Sequence, residues 1–185
     1  LLGAGAAVNQ GSNTGITPLY MASQFGHSAT VSVLLEAGAA VDQANRWGTT
    51  PLYMASQYGR IDMARLLLDH GAPVDPPVQP PSHTPLWYTC ISHNVDSVRL
   101  AAFLLDRGAD INQMTANRWW GYLELACSMC DVTLARLLLD RGIDYDQNPG
   151  FLDDTRTEEN RLQWLKPLDW VRRNMERGSY PETYG

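Results

Sequence analysis

The chain has 185 residues, 44% of them hydrophobic, and carries 14 Lys+Arg against 20 Asp+Glu for a net charge of −6. That apolar content supports a packed core and argues against wholesale disorder, while the acidic balance argues against a general nucleic-acid binder, which needs a basic face to displace counterions. No apolar run approaches the roughly 18 residues of a membrane-spanning helix, so no membrane insertion is expected, and three cysteines are too few and odd in number for a disulfide framework.

In chain order, the opening "LLGAGAAVN" reads as the tail of a preceding unit, so a targeting segment cannot be judged from it. "TPLYMASQ" follows at 17–24 and recurs, identical, at 50–57, an offset of 33 residues. Self-similarity at that interval signals a stack of supersecondary units. Thr17-Pro18 and Thr50-Pro51 predict helix starts, with Thr as the N-cap and Pro in the first turn. Those helices are expected to stop near Gly26 and Gly59, where a left-handed residue ends them at little cost. A second helix then follows in each unit. In unit two, Ile61, Ala64, Leu67 and Leu68 mark its apolar face, and Gly71 ends it. Gly38, Gly108 and Gly142 are expected to do the same elsewhere. The tails "VLLEAGAAVD", "LLLDHGAPVD", "FLLDRGADIN" and "LLLDRGIDYD" close four successive copies. A third start is "HTPLWYTC" at 83–90; a fourth has Gly121-Tyr122 in the Thr-Pro place; a partial fifth is "KPLDWVRRNMERG" at 166–178.

Thr-Pro-Leu, a helix, Gly, a Leu-Leu helix, then Gly-Ala-x-Val-Asn/Asp resembles the ankyrin repeat. The resemblance implies an all-α solenoid of stacked antiparallel helix pairs with hairpin-like finger loops. It divides 1–185 into the end of a repeat (1–11), repeats at 12–44, 45–77, 78–113 and 114–146, an insertion (147–165), and a C-terminal partial repeat or cap (166–185). The final-Asn position carries Asn9, Asp42, Asp75, Asn112 and Asp146, and the family uses that side chain to tie down the hairpin loop.

Two stretches break the regularity. Residues 72–85 hold six of the 11 prolines and are read as a rigid, lengthened loop. Pro-x-x-Pro spacing occurs there without the neighbouring cation that would orient such a ligand. Gly142 stands 26 residues from Leu168, against 14 from Gly38 to Leu52. The insertion's Phe151, Leu152, Leu162, Trp164 and Leu165 suggest that part of it packs onto the array.

Catalytic and metal chemistry find little support. Cys90-x-x-His93 and Cys127-x-x-Cys130 look like ligand pairs, but the repeat register places Cys90 and Cys127 on neighbouring helices roughly 8–10 Å apart. No metal and no cofactor are expected. His27, after Gly26, is read as structural. Neither a nucleophile–base set nor a phosphate loop is suggested by spacing, and the chain is read as a non-enzyme.

The resemblance implies a binding surface made of fingers and exposed first-helix faces. Carried onto this chain, the finger positions are Arg46, Trp47, Thr49, His83, Asn117, Arg118 and Trp119; the helix-end positions are Gln24, Phe25, Gln57, Tyr58, Ile91, Ser92, Ser128 and Met129. The expected partner-binding set is Phe25, Arg46, Trp47, Gln57, Tyr58, Ile91, Asn117, Arg118, Trp119 and Met129. Trp, Tyr and Arg are the types most enriched at binding hot spots. The expected function is a protein–protein interaction module in an intracellular compartment, cytoplasmic or nuclear. The alternative is a fixed structural subunit of a larger complex, or the ankyrin segment of a longer multidomain protein.

Overall fold

A computed structural model of the chain describes residues 7–77, 84–92, 96–113, 121–129 and 131–143. Among them are eight helices and no strand: α1 Pro18–Phe25, α2 Ser28–Glu36, α3 Pro51–Gln57, α4 Ile61–Asp69, α5 Pro85–Ile91, α6 Ser97–Asp106, α7 Tyr122–Ser128 and α8 Val132–Asp140. The cap, the insertion 147–165, and residues 78–83 of the proline-rich loop lie outside the described residues.

The Thr-Pro starts work as local chemistry requires. Thr17, Thr50 and Thr84 are extended N-caps whose hydroxyls accept the backbone N–H of Tyr20 (3.2 Å), Tyr53 (3.3 Å) and Trp87 (3.1 Å). The following Pro costs no hydrogen bond, because the first helical N–H has no intrahelical partner. α7 begins without Thr-Pro, and Leu125 N–H still reaches the Gly121 carbonyl at 3.2 Å. Asp131 caps α8 by accepting from Leu134 N–H at 2.9 Å. The helix stops Gly26, Gly59, Gly38, Gly71, Gly108 and Gly142 all have positive φ.

The chain forms two compact units, Leu1–Asp110 and Ile111–Gly185. Within the first, α1, α3 and α5 pack side by side in a row, each also packs on the second helix of its own pair, and α2 packs on α4. The Leu after each Thr-Pro, at 19, 52 and 86, is buried, as are Val31, Leu67, Leu100 and Leu104. One pair could not cover this surface alone; its neighbours do. In α4 the fully buried stripe is Met63, Ala64 and Leu67, whereas Ile61 and Leu68 are only half-buried. Ile61 sits in the first turn, and Leu68 is turned about 100° from Leu67. In the second unit α7 packs on α8, burying Tyr122, Leu123, Ala126, Leu134, Ala135 and Leu138.

The final-Asn position acts along the stack: Asn9 reaches the turn that closes the next second helix and leads into the following hairpin. Its Oδ1 accepts Ala40 N–H at 2.7 Å and its Nδ2 donates to the Gly38 carbonyl at 3.3 Å. Asp75 acts in the same sense, with Oδ2 accepting Asp110 N–H at 2.6 Å. The side chain lies along the stack, where a helix end leaves backbone groups without intrahelical partners. In the register of these two bonds, the residue facing Asp42 is Pro73, which has no N–H to donate.

Candidate functional site

The first two fingers are built by one device with two residues. In the first, Ser12 Oγ accepts Thr14 N–H (3.3 Å) and Ile16 N–H (3.2 Å). In the second, Asn45 Oδ1 accepts Trp47 N–H (2.9 Å) and Thr49 N–H (3.1 Å). Such side-chain bonds to the backbone two residues on stabilise turns. The fingers are joined by Arg46 N–H donating to the Thr14 carbonyl at 3.0 Å. They stack closely: a Cβ on Gly15 would sit 3.2 Å from Asn45 Cα, and Gly15 has φ +79°. A side chain there would therefore meet both backbone strain and a clash.

Asn45 is buried and lies beside Tyr20, whose hydroxyl is 3.4 Å from Asn45 Nδ2 and 3.3 Å from Thr49 Oγ1. Asn45 and Tyr20 were not among the expected site residues. The turn-forming habit of Asn is the signal that points to the first, and nothing local points to the second.

Among the described residues, the fingers and helix ends carry exposed aromatic groups. Trp47 is 49% exposed at the fingertip, with the Arg46 guanidinium 4.4 Å from its ring centre. A cation over an indole face is a stabilising arrangement, so Arg46 holds Trp47 while keeping its own edge in solvent. Phe25, 55% exposed, stacks at 6.1 Å on His27. Tyr58 is 41% exposed and its hydroxyl accepts from Gln24 Nε2 at 3.2 Å, which brings the ends of α1 and α3 together. Met21, 40% exposed on α1, extends this surface and was missed by sequence reasoning.

Trp47 lies in the finger before α3 and Tyr58 caps its far end; the seven-residue helix between them is about 10 Å long. Between α3 and α5 the Tyr53 and Tyr88 rings meet at 3.9 Å, tilted by 53°. Burial, then the hydrogen bond to Tyr88, raises the Tyr53 phenol above its ordinary range, so it stays neutral. Gln57, Ile91 and Met129 are half-buried, Met129 in the second compact unit. Asn117, Arg118, Trp119 and His83 lie outside the described residues.

Among the described residues no group of three His, Cys, Asp or Glu side chains is placed to hold a metal ion. Cys90 is buried; its expected companions His93 and Cys130, and the side chain of Cys127, fall outside the description. Among the described residues no helix is long and apolar enough to cross a membrane.

A model of ankyrin repeats in three copies matches residues 1–79, and an ankyrin repeat model matches residues 82–116. The comparison with curated proteins finds no match. Ankyrin repeats are in general protein–protein interaction modules and typically non-catalytic. The Thr-capped first helices, the glycine stops, the paired packing and these matches agree: the chain belongs to the ankyrin repeat family.

Proposed function

We propose that the chain is an interaction module that receives a protein segment on the face made by the fingers and the first-helix row α1, α3 and α5. One observation carries this reading. Of the five large apolar side chains exposed among the described residues, four stand on that face: Met21, Phe25, Trp47 and Tyr58. Val33, on α2, is the exception. Apolar side chains gathered on one exposed face are characteristic of surfaces that a partner covers. Trp47 and Tyr58 are the anchors in this reading, with Arg46 orienting an acidic group of the partner.

The test begins with the full chain as bait, followed by calorimetry against the captured partner. Trp47→Ala and Tyr58→Ala should each weaken binding by about 2 kcal/mol, the hot-spot scale, with melting unchanged. Arg46→Glu should chiefly slow association, most at low salt. If both aromatic substitutions leave affinity untouched while Arg136→Glu, on the exposed side of α8, abolishes it, the partner binds elsewhere.

A further inference from the structure

A cleft of about 350 Å³ opens where the two helices of each pair join, away from the fingers. It is lined by the turn at Gly26, by Arg60, Asp62 and Arg65, and by Asp96 and Arg99. Three consecutive helix pairs therefore contribute to it. Its walls are charged, which sets it apart from the aromatic face.

Each of its three guanidinium-bearing side chains has a different neighbour. The Arg60 chain crosses Gly26 so closely that a Cβ there would lie 3.2 Å from both Cδ and Nε of Arg60. The Arg65 guanidinium lies 5.0 Å from the centre of the Phe103 ring. Arg99 Nη1 donates to Asp96 Oδ1 at 2.9 Å.

The charges do not balance. Arg99 and Asp96 neutralise one another, leaving Arg60 and Arg65 against Asp62. Arg60 and Arg65 form no ion pair among the described residues. The result is a local excess of one positive charge on a chain whose net charge is −6. A guanidinium presents a planar fork of donors that matches a carboxylate.

We propose that this cleft binds one carboxylate, the side chain of a Glu or Asp in an acidic segment of a partner protein. One carboxylate cancels the excess charge. A phosphorylated side chain, close to −2 at neutral pH, would leave a negative surplus beside Asp62. The site stands whether or not the aromatic face is a docking surface.

The probes are three capped peptides, acetyl-Gly-Glu-Gly-amide and its Gln and phosphoserine counterparts. They are titrated into the full chain while the arginine Nε–Hε resonances are followed by NMR. The Glu peptide should shift Arg60 and Arg65 saturably and the Gln peptide should not. The phosphoserine peptide should bind more weakly than the Glu peptide. Arg60→Gln and Arg65→Gln should each weaken the Glu peptide about tenfold, the scale of a lost charge-assisted contact, and Arg136→Gln, on the exposed side of α8, should change nothing. Equal responses to Glu and Gln, no saturable shift, unaltered affinity in both arginine variants, or tighter phosphoserine binding would each overturn the assignment. Because Trp47→Ala, in the finger, tests the aromatic face and the arginine variants test the cleft, the two readings fail separately.

Discussion

At the scale of single residues, Asp75 is the most consequential departure from the pattern. Asn9 makes two bonds to the next turn, accepting from Ala40 N–H and donating to the Gly38 carbonyl. Asp75 accepts from Asp110 N–H, but its Oδ1 is buried and meets no donor among the described residues. A carboxylate has no proton to offer where the amide donates. Burial raises its pKa above the ordinary carboxylate value, outweighing the opposing bond from Asp110 N–H; the Asp110 charge raises it further. Between the unfolded pKa and the raised folded value, the folded protein therefore holds a proton that the unfolded chain has released. Stability from this group is fully present below the unfolded pKa of about 3.9 and is lost as pH rises through the raised folded value. Asp75→Asn should therefore stabilise the protein by about 1 kcal/mol at pH 7. The gain should shrink as pH falls through the folded value toward 3.9. Urea midpoints measured for both proteins across that range check it, and a gain independent of pH would contradict the account.

At the scale of elements, two of the turns that close second helices are secured by the preceding copy and one is not. Asn9 grips the turn after α2, and Asp75 grips the turn after α6. Asp42 faces Pro73, which offers no N–H, so the turn after α4 lacks this bond. Asn9→Ala should cost about 1 kcal/mol through two lost hydrogen bonds, while Asp42→Ala should stay within about 0.5 kcal/mol. Chemical denaturation of the two variants separates these outcomes; a larger loss at Asp42 would mean that it holds something else. The same neighbour dependence explains the second helices. α2, α4 and α6 have no side-chain cap bond, so packing must hold them, each on the first helix of its own pair and α2 also on α4, as is usual for helices this short.

At the scale of the molecule, the first compact unit is a chain of nearest-neighbour contacts. α4 is central to it: it packs on α2 and α3. Toward α6, Arg65 lies over Phe103, and Asp69, at its end, pairs with Arg107 at 2.8 Å. Leu67, fully buried there, should lose about 2–5 kcal/mol on truncation to Ala through the cavity left behind. In an array the damage spreads to the flanking units. Hydrogen exchange should accelerate in α2 and α6 together with α4. Acceleration confined to α4 would show that the pairs open independently.

The sequence by itself determined what depends on a few consecutive residues. Thr17-Pro18, Thr50-Pro51 and Thr84-Pro85 specify helix starts because the cap bond spans three residues, and Gly38 or Gly71 specifies a stop because one backbone angle decides it. Recurrence at 33 residues then implies stacking, since no single pair can cover its own apolar face. The exposed aromatic groups were legible for the same reason: Phe25 and Tyr58 fall at the ends of predicted helices, and Trp47 in a predicted finger. Tertiary structure alone decided what crosses from one pair to the next. It brought Asn9 and Asp75 onto the turn of the following copy, set the Tyr20 hydroxyl beside Asn45, laid Arg60 over Gly26, and gathered Arg60, Arg65 and Arg99 around one cleft. Those contacts depend on the offset between neighbouring units to within a few ångströms, and a periodicity counted in residues carries no such distance.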